Sequence, residues 1–116
     1  MTETLAQKRC RFSRDICQLI LHAESLGYGA AFDQVKRTQA EANANAASGK
    51  GIVNSLHLIG LAADILLYKG DRYITNDEGH KELGAFWKSL GPDHKWGGDF
   101  KARDYNHYSI THGGIK

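Results

Sequence analysis

The sequence predicts a small α+β fold, in which helices pack on a short, mainly antiparallel sheet. Two segments carry apolar residues at helical spacing, and shorter apolar segments bounded by turn residues are typical of strands. The chain has 116 residues, which corresponds to about one domain. It contains no repeat and no long Ser-, Gly- or Pro-rich tract. We therefore expect residues 1–116 to form a single domain.

The N-terminal third predicts a helix followed by a strand. Residues 4–27 form the predicted helix, because apolar residues recur every three or four positions and glycines follow: Phe12, Ile16, Leu19, Ile20, Ala23, Leu26, Gly27 and Gly29. Residues 28–36 are the predicted strand. Thr38 is expected to cap a short helix that ends near Ala47, and residues 48–51 are expected to form a loop.

The segment Ile52–Tyr68 is ambiguous, since its periodicity fits a buried helix or two buried strands. In one helix the side chains of His57 and Asp64 would lie two turns apart, about 10.5 Å. That separation is too long for two ligands of one metal ion, whose bonds are about 2 Å. If Gly60 turns the chain between two extended pieces, the side chains can converge. The ligand argument favours strand–turn–strand; a helix with a paired Asp64 and a core His57 is the alternative.

The C-terminal part predicts a turn, a helix and a hairpin. Lys69-Gly70-Asp71 reads as a turn. Asn76 or Asp77 is expected to cap a helix that ends at Leu90, before Gly91-Pro92. Residues 95–110 are expected to form a hairpin or two short strands.

Composition excludes several classes of protein. Hydrophobic residues make up 41% and charged residues 24%, as in a water-soluble globular domain. The net charge of +2 is too small, and the basic residues too scattered, to indicate a nucleic-acid partner. The longest apolar run is interrupted by His57 and Asp64 and is too short to span a bilayer, so no stable membrane insertion is expected.

The cysteines and the N-terminus predict the compartment. Cys10 and Cys17 are seven residues apart in the predicted helix, about 10.5 Å, which is too far for a disulfide. Two free thiols indicate a reducing compartment. The first residues lack the basic start and apolar stretch of a signal peptide. We expect the protein to be made in the cytoplasm, so that action outside needs another exit route.

Two segments place imidazoles and carboxylates together. One contains His57 and Asp64; the other contains Asp104 and His107. Burying Asp64 among apolar neighbours is costly unless it is paired or bound to a cation. Three protein ligands with an open fourth position are typical of catalytic zinc, and a spare carboxylate can serve as general base and acid. The same ligands also suit non-haem iron, so they do not decide the metal.

These motifs resemble the zinc peptidase family that contains phage L-alanyl-D-glutamate endopeptidases, D,D-carboxypeptidases and vancomycin-resistance D-Ala-D-Ala dipeptidases. The pattern S-x-H-x-x-G-x-A-x-D is matched from Ser55 to Asp64, and an acid followed three positions later by His is matched at Asp104 and His107. Trp96-Gly97-Gly98, Asn54-Ser55-Leu56-His57 and the helix containing Leu83-Gly84-Ala85-Phe86-Trp87 resemble the phage endolysin branch. The similarity extends roughly from Phe12 to Ser109.

The resemblance implies a role for each matched residue. His57, Asp64 and His107 would bind Zn²⁺, and Asp104 would be the general base and acid. Arg37 is placed where the family has an arginine that stabilises the developing oxyanion or holds a substrate carboxylate. The family often has Gln four or five residues later, where this chain has Glu41 and Ala42. Ser55 would orient a ligand, and Trp96 would line the cleft.

The expected function is therefore a zinc-dependent peptidase acting on peptidoglycan stem peptides. The endolysin type, which cuts L-Ala–D-Glu, fits a short monomeric chain without signal peptide or separate wall-binding domain, acting on the cell wall after release in the host. One alternative is a D,D-carboxypeptidase or D-Ala-D-Ala dipeptidase of the same family. Another is a relic that binds zinc or cell wall without cutting, although binding alone would not require Asp104. An iron oxygenase is disfavoured because the candidate ligands His57, Asp64 and His107 lack its H-x-[DE]…H spacing and the chain is short for its barrel.

Overall fold

The computed structural model describes residues 3–34, 56 and 60–113, with the backbone alone at Gln34. The described elements, in chain order, are α1 (Leu5–Ser25), β1 (Gly29–Gln34), β2 (Ala62–Lys69), β3 (Arg72–Tyr73), α2 (His80–Ser89), β4 (His94–Trp96) and β5 (His107–Ile110). Every described strand pair is antiparallel, in the order β1-β2-β5-β4, and β3 also pairs with β2. The predicted α+β class is confirmed.

Helix α1 forms where the sequence predicted it. Thr4 and Gln7 form a reciprocal capping box at its start. At its end Gly27 has φ 91°, and the N–H of Tyr28 donates to the carbonyl of Ala23. This C-terminal motif requires a left-handed residue, which glycine adopts at low cost. Cys10 and Cys17 are both free and exposed, as expected.

The core lies between the two helices and one face of the sheet. Strand β2 alternates, so that Ile65 and Leu67 are fully buried while Asp64 and Leu66 are only partly covered. Phe12 of α1 packs edge to face on Trp87 of α2, with the ring centroids 5.7 Å apart. Asp64 therefore lies on the face of β2 opposite to Ile65 and Leu67.

A buried hydrogen bond between His94 and Asp15 fastens α1 to β4. His94 Nε2 lies 2.8 Å from Asp15 Oδ2, and both side chains are almost fully buried. Sequence periodicity did not predict this contact, because Asp15 interrupts an otherwise apolar stripe. A buried carboxylate of this kind needs a partner.

The segment around Gly60 is partly as predicted. Gly60 occupies a turn with φ 73°, and the chain then enters β2, which confirms the strand after it. The predicted strand before it is wrong at Leu56, where the backbone is 3-10 helical. The N–H of Leu61 donates to the carbonyl of Leu56. The predictions for residues 38–47 and 48–51 lie outside the described residues.

Helix α2 begins later than predicted. Neither Asn76 nor Asp77 is its N-cap; the helix starts at His80, after Gly79. Asn76 Oδ1 instead accepts from the N–H of Glu78 in a local turn. Gly79 has φ 76°, and a β-carbon there would press on the ring of Tyr28. The predicted end before Gly91-Pro92, the turn at residues 69–71 and the β4–β5 pairing are confirmed. No described helix is both long and apolar enough to cross a bilayer.

The buried pair of His80 and Tyr108 should make stability depend on pH. The Nδ1 of His80 lies 2.7 Å from the hydroxyl oxygen of Tyr108, and this hydrogen bond joins α2 to β5. Burial lowers the pKa of His80 from 6.5 to about 4. The unfolded chain therefore binds the proton first, so the free energy of unfolding should decrease as pH falls from about 6.5 to about 4. Denaturant unfolding at stepped pH, in chelator, measures this.

The matched variants are His80→Gln and Tyr108→Phe. The first removes the titrating ring and should lose this part of the pH dependence; the second keeps the ring and should retain it at lower stability. An unaltered pH dependence in His80→Gln would refute the assignment.

Candidate metal centre

The site is built from two neighbouring strands. Asp64 of β2 and His107 of β5 are directly opposite each other in the antiparallel register. Directly opposed residues share a face of a sheet with β-carbons about 5 Å apart. On this face His107 is buried and Asp64 is partly covered, so the two side chains meet with little exposure to solvent.

Asp104 joins them from the turn before β5. One carboxylate or imidazole atom from each of Asp64, Asp104 and His107 lies within 4.8 Å of the others. His107 Nδ1 is 3.6 Å from Asp64 Oδ1 and 4.0 Å from Asp104 Oδ2. The ring nitrogen that faces both carboxylates is therefore Nδ1.

The three side chains differ in exposure. The exposed fraction is 9% for His107 and 17% for Asp64 but 52% for Asp104. Asp64 and His107 are thus largely covered within the sheet, whereas Asp104 is half exposed in the turn. This separates two mostly buried groups from one that solvent can reach.

Glycines hold the turn that carries Asp104. The N–H of Asp104 donates to the carbonyl of Gly97, and the N–H of His107 donates to the carbonyl of Asp104. A β-carbon on Gly97 would collide with the carbonyl oxygen of Asp104. The close approach explains why glycine follows Trp96 in the sequence.

Trp96 contacts the same turn from beneath. Its indole N–H donates to the carbonyl of Tyr105 at 2.7 Å, and its exposed fraction is 8%. The ring packs so closely on Gly84 of α2 and on Gly98 that a β-carbon at either position would overlap it. Trp96 therefore links α2 to the turn that contains Asp104.

Three of the residues singled out in the sequence are not placed. His57, Ser55 and Arg37 lie outside the described residues. The described flanks are Leu56 and Gly60, and Leu56 is hydrogen-bonded to Leu61, three residues before Asp64. The structure thus brings together Asp64, Asp104 and His107 from the predicted set.

The donor set fits a divalent metal ion. Ligand atoms on a tetrahedral zinc ion, with bonds of about 2 Å, are separated by about 3.3 Å. The 3.6 Å between His107 Nδ1 and Asp64 Oδ1 is close to that value. One imidazole and carboxylate oxygens are ligands that zinc and iron both accept.

A cavity that the sequence analysis missed adjoins the site. It has a volume of about 210 Å³, and its lining includes Asn76, His80, Arg103, Asp104, Tyr105 and Asn106. Its residues come from two separate segments, so spacing along the chain could not reveal it. The one available signal was a basic residue, Arg103, immediately before Asp104.

The chain matches a known protein family over part of its length. The sequence pattern of the D-alanyl-D-alanine carboxypeptidase family matches residues 48–110, more than half of the chain. That range contains Ser55, His57, Asp64, Asp104 and His107, and it excludes Arg37. No curated protein matches significantly.

A solved structure shares the fold. The L-Ala D-Glu endopeptidase ChiX of Serratia marcescens superposes with a TM-score of 0.69. The match covers 84% of this chain and 79% of that one, at 18% sequence identity. At this identity the likeness concerns the fold.

We predict that Asp64 and His107 bind a divalent cation together. Asp64→Asn and His107→Gln should each lower the zinc affinity strongly, because each removes one ligand. Zinc content after purification without chelator, followed by competition with a chromogenic chelator, measures this. Affinity should also fall in acid, since the imidazole must be deprotonated to bind.

Matched controls are Asp71→Asn and His112→Gln, which make the same chemical changes outside the cluster. Retention of full zinc affinity by Asp64→Asn or His107→Gln would exclude that residue as a ligand.

Proposed function

The chain belongs to the D-alanyl-D-alanine carboxypeptidase family, and from this membership we propose that it is a zinc-dependent peptidase of bacterial peptidoglycan. The observation that carries the proposal is the cluster of Asp64, Asp104 and His107. A structural ion pair would not require a second carboxylate at half exposure beside a buried imidazole.

The proposed ligands are His57, Asp64 and His107. His107 would bind through Nδ1, the nitrogen that faces the carboxylates. His57 is proposed from the sequence motif, which falls within the matched part of the family pattern. Ser55 is proposed to orient one ligand. A zinc ion supplies Lewis-acid chemistry, which polarises a carbonyl group and lowers the pKa of water towards neutrality.

Asp104 is proposed as the general base and acid. Its exposed carboxylate can accept a proton from the attacking water and then deliver it to the leaving amine. The turn anchored at Gly97 and Trp96 would keep this carboxylate near His107 throughout the reaction. Trp96 therefore acts as a positioning residue in this proposal. Arg37 is proposed to stabilise the developing negative charge of the carbonyl oxygen.

The scissile bond is proposed to be L-Ala–D-Glu, as in a phage endolysin. The fold likeness to ChiX, named an L-Ala D-Glu endopeptidase, supports this choice. So do Trp96-Gly97-Gly98 and the other motifs that resemble the phage branch. Action on the wall of a host cell after release follows from an endolysin role. The family description favours a second candidate, a D-alanyl-D-alanine carboxypeptidase.

We predict that Asp104→Asn keeps the fold and the zinc but loses most of the activity. The amide has nearly the same shape but cannot accept a proton, and a general base contributes about 10²–10⁴-fold to the rate. Steady-state hydrolysis of soluble muropeptides, with zinc content measured on the same samples, is the test. Asp99→Asn, an exposed carboxylate paired with Lys88, is the control.

Two results would contradict this role. Near-parental hydrolysis by Asp104→Asn would show that another group moves the proton. Loss of zinc from that variant would make Asp104 a ligand.

We predict that digestion of purified peptidoglycan fragments creates new D-Glu amino termini and leaves L-Ala on the sugar. Mass spectrometry of the products, with Asp104→Asn as the inactive control, distinguishes the bonds. Release of free D-Ala with the L-Ala–D-Glu bond intact would establish the carboxypeptidase alternative. No cleavage by zinc-loaded protein would contradict the proposed function.

A further inference from the structure

The cavity beside Asp104 has a structural origin in the sheet. Two segments bond to β2 next to each other: the N–H of Ile65 donates to the carbonyl of Asn106, and the N–H of Ile74 donates to the carbonyl of Leu67. The first partner belongs to the turn before β5 and the second follows β3. The cavity of about 210 Å³ is lined by residues of both segments. Its walls are therefore fixed by the sheet at two points.

The cavity contains one guanidinium, that of Arg103, next to the carboxylate of Asp104. Arg103 lines it and forms no ion pair with any carboxylate in the described part of the chain. A hydrogen bond with the side chain of Tyr105 raises the pKa of Arg103, so the guanidinium is charged at every working pH. The nearby acids are engaged elsewhere, Asp77 with Lys81 and Glu78 with Arg72.

Apart from the carboxylate of Asp104, which faces the cluster, the other polar groups of the cavity are donors or neutral. Asn76 uses its Oδ1 to accept from Glu78, which leaves its NH₂ group as the end that can donate to a ligand. His80 is neutral above its lowered pKa of about 4 and has its Nδ1 on Tyr108. A guanidinium with neighbouring amide donors is an arrangement that recognises a carboxylate.

We propose that this cavity is a substrate subsite that binds a carboxylate, with Arg103 as its cation. The proposal rests on the proposed function, since it assigns the ligand to the peptide being cut. Asp104 belongs both to the cavity and to the cluster. A carboxylate held there is thus close to the bond on which Asp104 is proposed to act.

Stem peptides offer this chemistry from two sources. One is the α-carboxylate of D-Glu, which lies next to the L-Ala–D-Glu bond because the chain continues through the γ-carboxyl. The other is the C-terminal carboxylate of D-Ala-D-Ala. Each has a matched amide of nearly the same size, so charge can be tested separately from shape.

The experiment compares two pairs of peptides. One pair contains L-Ala–D-Glu with the α-carboxyl as free acid or as amide; the other ends in D-Ala-D-Ala as free acid or as C-terminal amide. For the pair that uses the subsite, Arg103→Gln should raise KM for the acid about 10-fold, the value of a charge-assisted hydrogen bond, and leave kcat nearly unchanged. For the amide peptide, Arg103→Gln should raise KM little further, because amidation and the substitution remove the same interaction.

Lys101→Gln is the matched control. It removes a positive charge two residues away, from an exposed side chain that does not line the cavity. It should leave the difference between acid and amide intact. If Arg103→Gln weakens acid and amide equally in both pairs, or leaves KM for both acids unchanged, the subsite proposal is wrong.

A binding measurement separates this proposal from the proposed function. If zinc-loaded protein cleaves no peptide, the proposed function fails, and NMR titration with the same four peptides then decides on the subsite. Shifts of the Arg103 Nε–H and Asn76 NH₂ signals with an acid but not with its amide would support it. Equal shifts with acid and amide, or none with any peptide, would overturn it.

Discussion

The antiparallel register between β2 and β5 is the constraint on which the site depends. It places Asp64 opposite His107 and, one residue further, Ala63 opposite Tyr108. A slip of one residue would turn Asp64 and Ile65 to the wrong faces. The register is secured by burial, because Ile65 and Tyr108 fill the core on the helix side. Hydrophobic packing on one face thus determines which polar atoms meet on the other.

The same layering lets helix α2 support the site indirectly, through residues other than Asp64. Gly84 admits the ring of Trp96, and the indole N–H then holds the carbonyl of Tyr105. Tyr108, which follows the proposed ligand His107, is held by His80 at the start of α2. The turn bearing Asp104 is therefore supported from the core, and its geometry depends on glycines that carry no chemistry themselves.

The sequence predicted the fold class, α1, β1, the turn after β2 and the β4–β5 pairing, since these depend on local periodicity and on glycine or proline signals. The predicted start of α2 was wrong, because Asn76 Oδ1 accepts a hydrogen bond from the N–H of Glu78 instead of capping the helix. The sequence also missed the Asp15–His94 pair and the cavity at Arg103, because each joins residues from distant parts of the chain. Asp64, Asp104 and His107 were singled out by their spacing and by the resemblance to the family motifs, and the structure brings them together. The structural positions of His57, Ser55 and Arg37 lie outside the described residues.

The unequal exposure of the clustered side chains suits them to different proposed roles, metal binding and proton transfer. A ligand benefits from burial, since a low dielectric and fixed neighbours strengthen its interaction with a cation. A group that transfers protons must instead reach both water and the leaving amine. Asp64 and His107 satisfy the first requirement, and Asp104 satisfies the second. The backbone reinforces the difference: the first two residues belong to paired strands, whereas Asp104 lies in a turn tied to Gly97 through one hydrogen bond. Paired strands would hold the proposed ligands Asp64 and His107 at a fixed separation, while the turn leaves the proposed base, Asp104, accessible to solvent.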